Sequence, residues 1–126
     1  MDDNIRKALD RGHRIDITTV GRRSGQPRRI PIVFHNLAGR IYISGMPRHA
    51  KRDWLANLEA DPRLTVHLSG AVNADVSATA RVIGEGPERR QVMALVARAW
   101  KRTEIDEMVA WSPLIEVVIP GYSDAA

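Results

Sequence analysis

The chain has 126 residues, 44% of them hydrophobic, which suits one domain with an ordinary core and leaves no room for two. It contains no cysteine, and this excludes disulfide frameworks, thiolate metal sites, redox dithiols and cysteine nucleophiles. The net charge of +4 is unevenly spread: Ile17 to Arg52 holds eight cations and no acid, whereas the segments on either side are neutral or acidic.

Sixteen of the nineteen cations are arginine. The planar guanidinium fork suits two-point capture of phosphate or carboxylate better than a lysine does, so a localised anion site is favoured. Arginine enrichment from genome composition and a solvated basic face are the plain alternatives. No apolar run approaches the roughly 20 residues that span a bilayer, and the acidic start Met1–Asn4 has no targeting pattern. A cytoplasmic protein with no membrane span is expected.

Without repeats or linkers, residues 1–126 read as a single domain. A short helix is predicted over Asn4–Arg11, capped by Asp3, with Ile5, Ala8 and Leu9 as its apolar stripe and Gly12 as its stop. Ile15–Val20 alternates as a strand closed by Gly21. The next strand follows Pro27. Within Ile30–Phe34, Pro31 cannot donate to a ladder and marks an edge or a bulge. Asn36–Gly39 reads as a hairpin turn into Arg40–Ser44, with Ile41 and Ile43 on one face and Tyr42 on the other.

A helix is expected over Ala50–Glu59, ended by Asp61-Pro62, with Trp54, Leu55 and Leu58 on its apolar stripe. Leu64–Leu68 and the long alternating run Val72–Val82 are strands, the latter with an alanine-rich inner face. Pro87 opens a core-facing helix that continues to Trp100. A shorter helix capped by Thr103 buries Ile105, Met108 and Val109 and ends before Pro113, and Leu114–Ile119 is the last strand. Mostly antiparallel strands with few helices predict a mainly β protein with helices (α+β), a small barrel rather than a parallel sheet. Trp54, Trp100 and Trp111 are expected as core anchors, the last two also able to wall a pocket.

The sharpest local feature is the run from Thr18 to Arg29, a strand leading into two glycines, Gly21 and Gly25, that bracket Arg22, Arg23 and Ser24, followed by Arg28 and Arg29. Glycines let backbone N–H groups approach a ligand, and the arginines and the serine hydroxyl supply donors for a phosphate or polycarboxylate. A hairpin tip with solubilising arginines fits the same pattern. Tyr42, Ser44 and His49 are candidate donors to a substrate. His13, His35 and His67 lack ligand-like spacing, so no metal is expected.

Thr18-Thr19-x-Gly21-Arg22-Arg23-Ser24-Gly25-Gln26-Pro27-Arg28, the strand Pro31–Phe34, and Trp54-x-x-Asn57-Leu58-x-Ala60-Asp61-Pro62 together resemble the deazaflavin-dependent nitroreductase family, over about residues 15–85. The resemblance implies a six-stranded split β-barrel of the pyridoxamine phosphate oxidase-like, FMN-binding type. It implies an oxidoreductase using the reduced deazaflavin coenzyme F-420, with FMN as second choice, to pass a hydride to a quinone-like or nitroaromatic molecule. Carried onto this sequence, Arg23, Ser24 and Arg28 meet the coenzyme phosphate and acidic tail, with Arg22 and Arg29 beside them. The backbone from Arg29 through Ile30 to Ile32, with Ser44 and Gly45, lines the ring.

Arg48, Arg52 and Trp54 complete the implied coenzyme site, and Tyr42 and Ser44 stand as the catalytic candidates. One departure is visible, because family members often carry a lysine after the serine that ends the third strand. Here Gly45 stands there, and Arg48, Lys51 and Arg52 are the nearest cations. Two other readings stay open: a non-catalytic carrier of a fatty acid or other hydrophobic ligand, and an FMN-binding oxidoreductase. A nucleic-acid partner is disfavoured by the lack of aromatics among the arginines. Both monomer and homodimer are compatible with the resemblance.

Overall fold

A computed structural model describes residues 1–123. The elements are α1 (Asp3–Arg11), β1 (His13–Val20), β2 (Pro27–Leu37), β3 (Arg40–Ser44), α2 (Asp53–Ala60), β4 (Arg63–Leu68), β5 (Ala74–Val82), α3 (Pro87–Ala99), α4 (Ile105–Trp111) and β6 (Leu114–Val118). The six strands pair antiparallel and close into a barrel in the order β1-β2-β3-β6-β5-β4. The mainly β architecture expected from the strand periodicities is therefore present.

Alternation decides which side chains fill the barrel. Ile15 and Ile17, Ile41 and Ile43, Leu64 and Val66, Ala78 and Ala80, and Ile115 and Val117 point into one buried cluster, closed at an end by Leu9 of α1 and Tyr122. Ala78 and Ala80 are packed within this cluster, so the small residues of β5 serve close packing of the lumen. A second cluster lies outside the barrel, where Tyr42, Ile83 and Leu114 meet Val92, Met93 and Val96 of α3 and Met108 of α4. Strands β3 and β6 are therefore buried on both faces.

Polar ties lace the strands together. Thr18 Oγ1 lies 2.6 Å from His67 Nε2, and His67 Nδ1 lies 2.7 Å from Asp75 Oδ1, joining β1, β4 and β5. The buried Glu116 carboxylate accepts from both Arg40 and Arg81, joining β3, β6 and β5.

Strand β2 decides where a site can form. Pro27–Phe34 pairs with Val20–His13 of β1, but β3 pairs only with Phe34–Leu37. The first half of β2 thus has a neighbour on one side only, and Pro31, placed there, needs no ladder on the other side. This agrees with the edge expected at Pro31. The strand is longer than expected at its far end, where Asn36 and Leu37, expected in the turn, continue it opposite Ile41 and Arg40.

Several local expectations are corrected. Asp2, not Asp3, caps α1, its Oδ1 accepting from Asn4 N at 2.8 Å and Ile5 N at 3.2 Å. Helix α2 begins at Asp53, because Arg52 keeps an extended backbone (φ −71°, ψ 143°). Glu104 rather than Thr103 precedes α4 and makes no side-chain cap bond. Strand β5 starts at Ala74, and at its far end Val82 faces solvent while Ile83 is buried. Trp111 is 45% exposed rather than a core anchor, and it stacks on His49 with ring centroids 3.9 Å apart.

Candidate functional site

The arginine-rich bend is a tight turn between β1 and β2. Gly21 N donates to Gln26 O (2.8 Å), Gly25 N donates to Gly21 O (2.8 Å), and Gln26 N donates to Ser24 Oγ (3.1 Å). Gly25 has φ +70°, a conformation that favours glycine. At Gly21 the constraint is space, since a Cβ would lie 2.7 Å from Ser24 Oγ and 3.1 Å from Gln26 O.

Helix α2 fixes the bend from the side. Buried Asn57 accepts through Oδ1 from Arg22 N (3.2 Å) and Arg22 Nη1 (2.9 Å), and its Nδ2 donates to Thr19 Oγ1 (3.2 Å). Arg22 also pairs with Asp53 at 3.3 Å. Arg22 is thereby committed to holding the turn on the helix. Among the described residues the side chains of Arg23 and Arg28 have no hydrogen bond or ion pair, so their guanidinium donors are available to a ligand.

These groups line one end of an open groove of about 770 Å³. It passes the unpaired side of β2 at Ile30, Pro31 and Ile32 and reaches Ser44, Arg48 and Arg52, with Trp54 and Asn57 contributed by α2. Five guanidinium groups face it against a single carboxylate, Asp53, which is already paired. The groove is strongly electropositive and has an apolar strip of Ile30, Ile32 and Trp54 between its charged ends, a combination suited to a long ligand with an acidic tail and a flat body.

Of the residues singled out in the sequence, Arg22, Arg23, Ser24, Arg28, Ile30, Ile32, Ser44, Arg48, Arg52 and Trp54 line this groove. Arg29 is turned to Asp16, with Nε 2.9 Å from the carboxylate. Gly45 lies beside the Arg52 guanidinium. Tyr42 sits in the outer cluster, where burial raises its phenol pKa, and is not among the lining residues. Ser44 is buried, and its one hydroxyl proton is given to Pro113 O at 2.7 Å. As placed, neither Tyr42 nor Ser44 presents a free donor to the groove.

The tying roles of Asn57 and Asp53 are marked by no motif in the sequence. An asparagine in mid-helix is a weak helix former and is found buried only with partners, and this is the one trace of that role the sequence carries. Among the described residues no group of three or more His, Asp or Glu could hold a metal ion, and no helix is long and apolar enough to cross a membrane.

Fold and groove together define a class: a six-stranded split barrel of the pyridoxamine phosphate oxidase-like type, with an arginine-lined cleft on the open edge of its second strand. The same fold occurs in conserved hypothetical protein Rv2991 from Mycobacterium tuberculosis, with TM-score 0.72 and 19% identity over 95% of this chain and 81% of that one. A Listeria innocua protein classed provisionally as a pyridoxamine 5′-phosphate oxidase gives 0.69 and 13%, over 94% of this chain and 92% of that one. An F420-H2 dependent reductase, FDR-A, gives 0.60 and 22%, over 82% and 92%.

Residues 3–119 match the model of the F420H2-dependent quinone reductase family. The chain belongs to that family, and it is a coenzyme F-420-dependent reductase.

Proposed function

We propose that this protein, acting as a single domain in the cytoplasm, binds reduced coenzyme F-420 along the groove and passes a hydride to a planar, electron-poor acceptor, a quinone or a nitroaromatic compound. The observation that carries the reading is the pair of unengaged guanidinium groups, Arg23 and Arg28, at one end of a groove whose middle is apolar and lies along an unpaired strand edge.

The chain's residues fit the coenzyme in three respects. Arg23, Ser24 and Arg28 offer charge-assisted donors for the phosphate and acidic tail. Ile30, Pro31, Ile32 and Trp54 give an apolar lining for the ring, and the unpaired backbone of β2 lies beside it. Asn57 and Asp53 hold the basic turn in place, so little ordering is needed on binding. The bound reduced deazaflavin supplies the hydride. The protein positions the ring and offers positive potential where negative charge develops. Packing of Ala78 and Ala80 inside the barrel removes the room that a lipid-carrier reading requires there.

The test is a binding titration of F-420, FMN and NADPH against the native chain and the Arg23→Ala and Arg28→Ala variants. F-420 should bind tightest. Each substitution should weaken it about 10- to 100-fold, the equivalent of about 1.5–3 kcal/mol for a lost charge-assisted contact, with the melting temperature nearly unchanged. Equal affinity in both variants would refute the placement. Oxidation of the reduced coenzyme on adding a benzoquinone or a nitrobenzene then tests the acceptor class.

A further inference from the structure

The far end of the groove, at Ser44, carries an arrangement that the basic turn does not explain. Arg52 precedes α2 in extended conformation and folds its guanidinium back over Gly45. A Cβ built at Gly45 would lie 2.9 Å from Arg52 Cζ and Nη2 and 3.1 Å from Nε. No left-handed backbone requires glycine at this position, so what needs the bare backbone is the arginine. Arg52 Nη2 donates to Met46 O at 2.7 Å, which holds the group in place without neutralising it.

Arg48 lines the same end of the groove, with Nε on Ala50 O at 3.0 Å. Neither arginine has a carboxylate partner among the described residues, and the one acid in the groove, Asp53, is paired with Arg22. Partial burial and the neighbouring Arg48 both disfavour the charge on Arg52. Two like charges held together, partly desolvated and without a counterion, form a seat that gains from an anion.

We propose that Gly45 and Arg52 act as a pair: the missing side chain at Gly45 admits the Arg52 guanidinium, which with Arg48 forms a second anion subsite, separate from the basic turn, for a negatively charged oxygen of the bound coenzyme or of the acceptor. The inference rests on the proposed groove function and adds to it a second point of charge recognition. Gly45 is then a specificity residue although it contributes no side chain.

Gly45→Ala is the informative substitution. The atoms it would meet are the far end of a flexible side chain, so the fold should accept the methyl group while Arg52 is displaced. The dissociation constant of F-420 and the KM for a benzoquinone acceptor are measured in the native chain, Gly45→Ala, Arg52→Ala and Arg52→Gln. All variants should melt near the native temperature. Gly45→Ala and the Arg52 variants should share a loss of about tenfold, in coenzyme affinity if the oxygen belongs to the coenzyme, or in KM alone if it belongs to the acceptor.

The proposal is overturned if neither quantity moves in the Arg52 variants, or if they lose affinity while Gly45→Ala keeps it. Arg23→Ala is the control. Weakened coenzyme binding there, with native behaviour in the Arg52 variants, removes only this second subsite; unchanged binding in Arg23→Ala as well removes the groove reading itself.

Discussion

Replacing Arg89 by Met tests how the outer helices are held on the barrel. This arginine is 9% exposed and has no acidic partner among its hydrogen bonds; it donates to three backbone carbonyls, Val109 O at 2.6 Å, Ile83 O at 2.9 Å, and Ser112 O. One side chain of α3 thus joins the last turn of α4 and the exit of β5. Methionine fills similar volume but leaves three carbonyls without donors. Three charge-assisted bonds at about 1.5 kcal/mol each, less the desolvation cost that the buried guanidinium carries and methionine does not, give a net loss of about 3 kcal/mol. For a chain of this size that lowers the melting temperature by about 10 °C.

Urea unfolding should show the midpoint falling with the slope unchanged, and Arg89→Lys should recover only part of the loss, because one ammonium cannot serve three diverging carbonyls. A loss below about 1 kcal/mol in Arg89→Met would refute this account of how α3 and α4 are attached.

Asn57→Ala removes the contacts that hold Arg22 and Thr19, so it should cost about 2 kcal/mol of stability and also weaken F-420 binding, as checked by denaturation and titration on the same preparation. His35 is buried against Trp100, its Nε2 has no partner among the described residues, and burial holds its pKa below the ordinary 6.5. The unfolded chain therefore takes up a proton before the folded one as pH falls below about 6.5. Stability should be full above that pH and decline beneath it by up to about 1.4 kcal/mol per pH unit, until the folded-state pKa is passed. His35→Phe should remove that part of the slope in melts recorded from pH 7 to 5.

Much of this fold is legible in the sequence where one physical rule governs a segment. Period-two alternation gave β1, β4 and β6, the apolar stripe gave α3, and Asn36–Gly39 gave the hairpin, where Ala38 (φ 54°) and Gly39 (φ 88°) both adopt left-handed conformations. Failures fall where two rules compete. Val82 fits the inward parity of β5, but the barrel wall ends there and Ile83 takes the buried place. Trp111 lies at a helix terminus, where the stripe no longer faces the core, and stacking on His49 takes the place of burial. Tyr42 reads as an exposed donor only if β3 has one solvated face, whereas α3 covers that face. The groove's basic turn could be read from the glycine-bracketed arginines, but the covering of Gly45 by Arg52 at its other end depends on the path of residues 45–52 into α2, which no local pattern encodes.

The half of β2 without a second neighbour also bears on how the protein behaves in a crowded cell. A bare strand edge invites other chains to add to it and so begin aggregates. Here Pro31 denies an incoming strand one of the donors it would need, and Arg28 on the same stretch would have to give up its hydration to be covered by one. The residues that line the groove thus also make the bare edge a poor template for another strand.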